Sequence, residues 1–381
     1  MNSANNNYDF AFVLGGLPTS YPSGGEDIIF QLCCRLKSQG YNVALIIIKN
    51  ARNYLYEIKK DPKLFLFNKR RRIIIRKIEY TSTFNKIGGW NILQRINNAG
   101  YDFSILKNIK TYFFKTPDEM KISIKRIIAT SWVTADFTSE YVNNHSSTVG
   151  YYLVQNREDD PAFSGELSRY AANTYNLNNL RKIVISKDTY KTFENENPLF
   201  FNVGIDYQLF VYKPNLKENL IMFPLRKNES KGAKYVLEAA ENLHKKVPNW
   251  KFLAFGDYPF QVPDYIEFHR NSKKQDILNL YSRSKIFILP SLVEGFPLTV
   301  LEAMSSGCAV VSTLCGGVDE YGVNDKNLLF VPIKNSMDIE KAVLTLIENG
   351  QLLEKLSRNA RITVEKYSYD SMYKQFTSLF G

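Results

Sequence analysis

Apolar runs of strand length alternate with segments of helical periodicity along the second half of the chain. This alternation is typical of a parallel sheet with helices on both faces. The predicted strands are residues 220–225, 251–256, 265–270, 285–290, 308–313 and 327–332. Apolar spacing predicts helices between the first two strands and at about 273–284, 337–349 and 352–367. We therefore predict a doubly wound α/β domain in this half.

The first half opens with the same pattern. It predicts a strand at 8–14, a helix at 24–39 and a strand at 41–48, with later strands at 147–155 and 181–186. Residues 49–123 show no assignable pattern. We predict two Rossmann-like domains, residues 1–205 and 206–367, and an aromatic tail at 368–381 that returns to the first domain. Parallel sheets of this kind bind ligands at the carboxyl ends of their strands, so we expect the active site in a crevice between the domains.

Composition narrows the class of protein. The chain has 381 residues, of which 44% are hydrophobic and 23% charged, so disordered, collagen-like and coiled-coil proteins are excluded. No apolar run reaches the roughly 18 residues of a membrane span, and the polar start is not a leader, so we expect a cytoplasmic protein. The four cysteines form no C-x-x-C pair and the three histidines are scattered, so we predict neither disulfides nor a metal site.

The positive charge is local. Residues 51–100 contain 12 Lys and Arg against 3 Asp and Glu, and the basic residues of segment 65–78 alternate with isoleucines. Two interpretations stay open, a solvated face and a surface that docks on an anionic membrane. No nucleic-acid-binding motif accompanies the segment, so a nucleic acid partner is not predicted.

A strand, a Gly/Pro turn and a helix follow one another around residues 285–304. The helix is predicted to begin near Leu298, where its first N–H groups have no helical partners and can bind a phosphate. Glu294 precedes this point and Glu302 follows it. Carboxylates accept hydrogen bonds from sugar hydroxyls, so the arrangement suits a nucleotide sugar. The alternative is a helix-capping acid plus an unrelated surface glutamate.

Two cations follow the first strand of the second half. Arg226 and Lys231 are placed to stabilise the negative charge of a departing nucleoside diphosphate, the work of fixed cations in a site without metal. Each residue taken alone could instead be a solvated surface charge. Gly232 allows the next helix to begin close to the strand end.

Polar and glycine residues also follow strands of the first half. The loop after the first strand contains Gly15, Gly16, Gly24 and Gly25 but no G-x-G-x-x-G, and Lys49 and Asn50 replace the acid of a dinucleotide site. A nicotinamide dehydrogenase is therefore disfavoured. At the end of strand 147–155, the polar residues Gln155, Asn156 and Glu158 are candidates for binding the acceptor or the transferred sugar, although turn formation also explains Asn156.

These residues match a known family. The segment EGFPLTVLEAMSSGCAVVST, which contains Glu294 and Glu302, and the following GGVDEY resemble the retaining glycosyltransferases of family 4, which have the two-Rossmann GT-B fold. Arg226 and Lys231 match the diphosphate-binding pattern of that family. In the first half, ATSWVTA and YYLVQNRE look like its rhamnosyltransferase branch, with Asn156 where the branch usually has Asp. None of the three histidines matches the histidine that many members carry.

The resemblance implies a role for each matched residue. Arg226 and Lys231 would bind the diphosphate, Glu302 the ribose, and Arg270 would lie beside the nucleobase. The donor sugar would contact Glu294 and the backbone of the residues after it, namely Gly295, Phe296, Pro297, Leu298 and Thr299. The acceptor side would contain Gly24, Gly25, Gln155, Asn156 and Glu158.

The resemblance also implies the reaction. It would transfer a sugar from a UDP- or dTDP-linked donor to a glycan or lipid-linked acceptor, without metal or cofactor and with retention of anomeric configuration. Segment 65–78 would then hold the enzyme at the inner face of the membrane. Two alternatives stay open: a non-catalytic nucleotide-sugar-binding partner of a glycosyltransferase complex, and a GT-B epimerase or phosphorylase.

Overall fold

Two parallel sheets organise the part of the chain that the structure describes. A computed structural model describes residues 7–16, 23–49, 51, 103–270 and 272–380. The chain divides into two compact units. The first unit contains the residues up to Asp159 with Glu166–Val184 and Asn195–Leu199, and the second contains Asp160–Gly165, Ile185–Glu194 and the residues from Phe200 onward. The predicted α/β class, with one parallel sheet in each half, is confirmed.

The sheet of the first unit has seven strands in the order β3-β2-β1-β4-β5-β6-β7. They are β1 (Asn7–Leu14), β2 (Val43–Ile48), β3 (Lys110–Phe114), β4 (Ser123–Ala129), β5 (Val149–Val154), β6 (Leu180–Val184) and β7 (Leu199–Phe200). Strands β1 to β6 pair in parallel. Every residue of β2 is buried, as expected for a continuous apolar strand covered on both faces.

The second unit contains a six-stranded sheet in the order β10-β9-β8-β11-β12-β13. Its strands are β8 (Glu218–Pro224), β9 (Lys251–Gly256), β10 (Ile266–Arg270), β11 (Ser284–Leu289), β12 (Ala309–Thr313) and β13 (Leu329–Val331). All of its pairings are parallel. Each of the six strands that the sequence predicts here is present, with bounds shifted by at most two residues.

Helices of both units connect these strands. In chain order the helices in the described residues are α1 (Gly24–Ser38), α2 (Trp132–Asn144), α3 (Pro161–Ser164), α4 (Ser168–Tyr175), α5 (Lys187–Thr192), α6 (Ala233–Lys246), α7 (Lys274–Arg283), α8 (Leu298–Ser305), α9 (Ser336–Glu348), α10 (Gly350–Val364) and α11 (Tyr369–Ser378). Amphipathic helices such as α6 and α9 bury their apolar faces against the second sheet. The helices therefore connect one parallel strand to the next, as the sequence pattern predicts.

The sequence analysis missed the central strand β4 and the helix α2 that follows it. Strand β4 carries Lys125 and Arg126, which interrupt its apolar pattern. In the structure the Lys125 amine lies 2.8 Å from the carboxylate of Asp9, and the Arg126 guanidinium lies 5.1 Å from the ring centre of Phe10. Both partners belong to the neighbouring strand β1. Contacts across the sheet thus accommodate charges that local periodicity treats as evidence against a strand.

The aromatic tail forms helix α11 and packs on the segment that precedes residue 205. The ring of Phe376 lies 5.3 Å from the ring of Phe201, and the Gln375 side chain accepts a hydrogen bond of 3.0 Å from the Asn202 N–H. All four residues belong to the second unit. A domain boundary near residue 205 and a return of the tail to the first domain remain predictions.

Candidate functional site

The candidate donor site lies where strands β8 and β11 end side by side. Because these strands pair in parallel, their following loops meet, and the Leu292 N–H donates to the Ser230 carbonyl at 2.6 Å. Gly232 lies at this junction with φ of +67°, and a Cβ atom placed on it would come within 1.9 Å of the Pro290 oxygen. Only glycine fits such a position. The close approach brings Lys231 next to the loop that carries Glu294.

Lys231 and Glu294 form an ion pair. The Lys231 Nζ lies 2.9 Å from Glu294 Oε2, and the two side chains are 21% and 14% exposed. The Ser291 hydroxyl donates to the other carboxylate oxygen at 2.7 Å, and the Glu294 N–H donates to the Cys315 carbonyl at 2.8 Å. These bonds hold the carboxylate in one orientation. Two residues that the sequence predicts to act on the donor are thus brought into contact.

The loop after Glu294 leads into helix α8. Gly317 has φ of +58°, and a Cβ on it would meet the Gly295 oxygen at 2.2 Å. The Tyr321 hydroxyl donates to the Pro297 carbonyl at 2.9 Å. The N-cap residue Pro297 provides no side-chain cap. The Val300 N–H donates to the Pro297 carbonyl at 3.2 Å, so the N–H groups of Leu298 and Thr299 are the candidates for binding a ligand.

The ring of Phe296 packs inside the second unit. It lies 5.3 Å from the ring of Tyr321 and 5.9 Å from that of Tyr367, and the residue is 7% exposed. The Phe296 ring is therefore not accessible to a donor, and only the backbone of this residue can contact one. The predicted backbone contacts of Gly295, Phe296, Pro297, Leu298 and Thr299 are compatible with this arrangement and stay predictions.

Glu302 lies on helix α8, one turn beyond the N-terminal residues. Its Oε2 accepts a hydrogen bond of 2.9 Å from the hydroxyl of Tyr281 on helix α7. Tyr281 is fully buried, and burial raises the pKa of its hydroxyl well above the usual range, with the nearby carboxylate acting in the same direction. The hydroxyl therefore stays protonated and donates.

Arg226 and Arg270 both lie beside the loop that follows strand β9. The Arg226 guanidinium lies 4.0 Å from the Asp257 carboxylate and 5.5 Å from the ring centre of Phe255. The Arg270 Nε donates to the Asp257 carbonyl at 3.3 Å. Asp257 thus connects the two arginines to one loop, and its side chain is 71% exposed. The predicted diphosphate role of Arg226 and base-side role of Arg270 remain predictions.

A second group of predicted residues lies at the strand ends of the first unit. The Gln155 Nε2 donates to the Thr130 carbonyl at 3.1 Å. Its Oε1 is buried without a hydrogen-bond partner, and a Cβ placed on Gly25 would lie 2.6 Å from it. Gly24 is the first residue of helix α1 and follows its N-cap, Ser23. The lack of a side chain at Gly25 therefore lets the start of helix α1 approach Gln155 at the end of strand β5.

The carboxylate of Glu158 is engaged within the first unit. Its Oε2 accepts a hydrogen bond of 2.9 Å from the Trp132 N–H and one of 2.8 Å from the Tyr152 hydroxyl. Burial raises its pKa to about 7, although both hydrogen bonds act in the opposite direction. The Asn156 carbonyl accepts a hydrogen bond from the Tyr175 hydroxyl at 3.4 Å. Glu158 thus holds the start of helix α2, and its predicted acceptor role stays a prediction.

Several residues of these sites were missed by sequence reasoning. Ser291 follows a strand end and could have been found there. Tyr281 and Tyr152 could not, because each lies in a helix or strand where an aromatic residue indicates core packing. Trp132 could not, because it acts through its backbone N–H. The Lys231–Glu294 and Glu302–Tyr281 contacts belong to the second unit, and the Gly25–Gln155 and Glu158–Trp132 contacts belong to the first.

Two features are absent from the described residues. They contain no group of three or more His, Cys, Asp or Glu side chains that could hold a metal ion. None of the helices described is long and apolar enough to cross a membrane. The basic segment 65–78 lies outside the described residues.

Comparison with known proteins identifies the second unit. Residues 206–363 match the family described as Glycosyl transferases group 1, so this part of the chain is a glycosyltransferase group 1 domain. Over 349 residues the chain is 24% identical to N,N'-diacetylbacillosaminyl-diphospho-undecaprenol alpha-1,3-N-acetylgalactosaminyltransferase of Campylobacter jejuni, covering 81% of this chain and 90% of that protein. It is also 23% identical to an uncharacterized glycosyltransferase of Haemophilus influenzae, covering 93% and 96% of the two chains.

Solved structures share the fold along nearly the whole length. HepE of Anabaena, crystallised with UDP-glucose, superposes with a TM-score of 0.69 at 14% identity, covering 98% of this chain and 99% of HepE. WaaG, a glycosyltransferase involved in lipopolysaccharide biosynthesis, superposes with a TM-score of 0.63 at 12% identity, covering 97% and 99%. The predicted GT-B fold of two Rossmann-like domains is thereby confirmed.

Proposed function

We propose that this chain is a retaining, metal-independent glycosyltransferase that moves a sugar from a nucleoside diphosphate donor to a glycan or lipid-linked acceptor. The observation that carries the proposal is the Lys231–Glu294 ion pair of 2.9 Å beside the start of helix α8, in a glycosyltransferase group 1 domain. An amine and helix N–H groups bind a diphosphate, and a carboxylate accepts hydrogen bonds from sugar hydroxyls. The amine, the helix N–H groups and the carboxylate together can bind both the diphosphate and the sugar of a nucleotide sugar.

Each residue has a place in the reaction. The bond between the anomeric carbon and the diphosphate oxygen breaks, and Arg226 and Lys231 stabilise the negative charge that develops on the diphosphate. Glu294 holds the sugar through its hydroxyls. The acceptor hydroxyl attacks from the same face and gives its proton to the departing phosphate oxygen, which accounts for retention without a carboxylate nucleophile. Glu302 binds the ribose, and Arg270 lies on the nucleobase side.

In this proposal the acceptor binds to residues of the first unit. Gln155 offers a buried, unpartnered carbonyl oxygen, and helix α1, which begins at Gly24, approaches it closely at Gly25. The Campylobacter relative is named for a lipid-diphosphate-linked acceptor and for N-acetylgalactosamine. The QNRE sequence at 155–158 resembles a rhamnosyltransferase branch of family 4 instead. We therefore propose a lipid-linked acceptor and test UDP- and dTDP-linked donors side by side.

The experiment has two stages. Thermal stabilisation by UDP, dTDP, GDP and ADP, measured with a chelator present, identifies the base because a ligand that binds only the native state raises its stability. Sugar nucleotides that carry the identified base are then supplied as donors, with and without a prenyl-diphosphate-linked sugar as the acceptor. Acceptor-dependent transfer is expected. Binding without donor hydrolysis or transfer would instead indicate a non-catalytic partner, and turnover without an acceptor or with phosphate would indicate an epimerase or phosphorylase.

A further inference from the structure

Helix α3 is a single helical turn that is capped at each end. Pro161 occupies its first position, and the Asp160 carboxylate accepts a hydrogen bond of 2.7 Å from the Ala162 N–H. Gly165 ends the turn with φ of +59°. Residues Asp160–Gly165 belong to the second unit, although the residues directly before and after them belong to the first. The first half of the chain thus contributes one defined turn to the unit that contains the candidate donor site.

Two contacts connect Phe163 of this turn with the loop that contains Lys231. The Phe163 carbonyl accepts a hydrogen bond of 2.9 Å from the Asn228 Nδ2, and the centre of the Phe163 ring lies 5.3 Å from the Lys231 Nζ. The Asn228 Oδ1 accepts a hydrogen bond of 3.0 Å from the Ser230 N–H, so both ends of this amide are engaged and its direction is fixed. The backbone contact therefore sets where the Phe163 ring lies relative to the Lys231 ammonium.

Two neighbours of the Lys231 ammonium differ in their chemistry. One is the Glu294 carboxylate at 2.9 Å, and the other is the Phe163 ring. A cation within about 6 Å of the centre of an aromatic ring is attracted by the negative face of the ring. The carboxylate neutralises the charge of the ammonium. The uncharged ring holds the ammonium and leaves its positive charge available to a phosphate.

Binding of a donor changes these two contacts in different ways. In the proposed reaction the Glu294 carboxylate accepts hydrogen bonds from hydroxyls of the donor sugar, so its ion pair with Lys231 is weakened. The Phe163 side chain has no hydrogen-bonding group, so sugar hydroxyls do not replace its contact with Lys231. Lysine is a point charge on a flexible four-carbon stem, and its position depends on contacts of this kind. The ring is thus the contact that stays with Lys231 when the donor binds.

We propose that Phe163 is a positioning residue of the donor site, whose ring holds the Lys231 ammonium at the phosphate next to the donor sugar. This inference rests on the proposed function, because it assumes that Lys231 binds the diphosphate. The phosphate concerned is the β-phosphate, since a nucleotide sugar carries its sugar there and the sugar-binding Glu294 lies beside Lys231. Phe163 therefore favours a nucleoside diphosphate over the corresponding monophosphate, and it does so through Lys231.

The test compares nucleoside diphosphates with monophosphates on the full chain. UDP and UMP, dTDP and dTMP, GDP and GMP, and ADP and AMP are titrated by calorimetry into the wild type, Phe163→Leu and Tyr212→Leu. Tyr212→Leu is the matched control, because Tyr212 is also half-buried in the second unit and its ring centre lies 4.4 Å from the Arg361 guanidinium. We expect Phe163→Leu to weaken diphosphate binding by about three- to tenfold and monophosphate binding by less than about twofold. The control should bind both ligands as the wild type does.

Two further variants separate the contact between ring and cation from a change of fold. Phe163→Tyr keeps the negative ring face and should keep the diphosphate affinity within about twofold. Replacement of Phe163 by pentafluorophenylalanine keeps the shape of the ring and reverses its quadrupole, so it should weaken diphosphate binding even if Phe163→Leu does not fold. In a Lys231→Ala background, Phe163→Leu should cause no further loss, because residues that act through one contact are not additive.

The outcomes distinguish the inference from the proposed function. Wild-type diphosphate affinity of the folded Phe163→Leu or fluorinated variant would overturn the inference alone. An equal loss of diphosphate and monophosphate binding, or an undiminished further loss in the Lys231→Ala background, would do the same. A wild type that binds none of the eight nucleotides would overturn the proposed function and the inference with it.

Discussion

Lys231 Nζ and Glu294 Oε2 lie 2.9 Å apart at adjacent strand ends of the second unit. In the proposed reaction these atoms have different partners, since the amine binds a phosphate and the carboxylate binds sugar hydroxyls. The donor must therefore replace the Lys231–Glu294 ion pair with its own contacts to the two side chains. Both side chains are partly buried, so removing one member leaves the other as a charge without its partner in the site and changes its behaviour.

Glu294→Gln is expected to separate transfer from nucleotide binding. The loss of the carboxylate removes the contact to the donor sugar and should lower transfer by about 100-fold or more, by analogy with the loss of one transition-state hydrogen bond. It also releases Lys231, so the affinity for the free nucleoside diphosphate should stay the same or rise. Transfer assays and calorimetry measure the two quantities. Loss of both would show that Glu294 is structural or binds the nucleotide.

Lys231→Ala is expected to weaken the binding of the nucleoside diphosphate by about 10- to 100-fold, because a hydrogen bond to a charged group contributes about 1.5–3 kcal/mol. The variant also leaves Glu294 without its cation. Lys234→Ala is the matched control, since that lysine lies on the next helix and is 75% exposed. Equal titration curves for Lys231→Ala and the wild type would contradict the diphosphate role.

The sequence predicted the strand-end residues better than their orientations. Lys231 and Glu294 follow apolar strands that periodicity reveals, and parallel pairing brings such strand ends together. The direction of the Glu158 carboxylate depends on the Trp132 N–H, 26 positions away, and on the Tyr152 hydroxyl, six positions away on strand β5. The Tyr281–Glu302 bond likewise joins residues 21 positions apart on two helices. Local patterns carry no information on such contacts.

The basic segment 65–78 offers a prediction from sequence alone. If it docks on an anionic membrane, each basic residue near the surface contributes about 1 kcal/mol, so Arg70→Glu with Arg71→Glu should weaken vesicle binding by about 30-fold or more. Co-sedimentation with vesicles of anionic and of neutral lipid measures the effect. Arg358→Glu with Arg361→Glu, on helix α10, is a control of equal charge change. Unaltered binding to anionic vesicles would favour a solvated face.

Gly232→Ala is expected to destabilise the second unit by about 2 kcal/mol or more. The left-handed conformation alone costs a non-glycine residue about 1–3 kcal/mol, and the added Cβ would meet the Pro290 oxygen at 1.9 Å. Gly350→Ala is the matched control, because nothing lies within 4 Å of a Cβ there, and it should be neutral or slightly stabilising at a helix start. Urea unfolding measures both. Equal stability of the two variants would argue against the close approach of the two strand ends.

Glu158 should make the stability of the protein depend on pH. Burial raises its pKa from 4.5 to about 7, so between these values the folded state binds more protons than the unfolded state and stability falls as the pH rises. The full shift corresponds to at most about 3 kcal/mol. Urea unfolding from pH 4.5 to 8 should therefore show a decline in the wild type that Glu158→Gln removes and that Glu166→Gln, an exposed control, retains. Parallel curves for the wild type and Glu158→Gln would mean that burial does not raise the pKa of the Glu158 carboxyl in the folded protein.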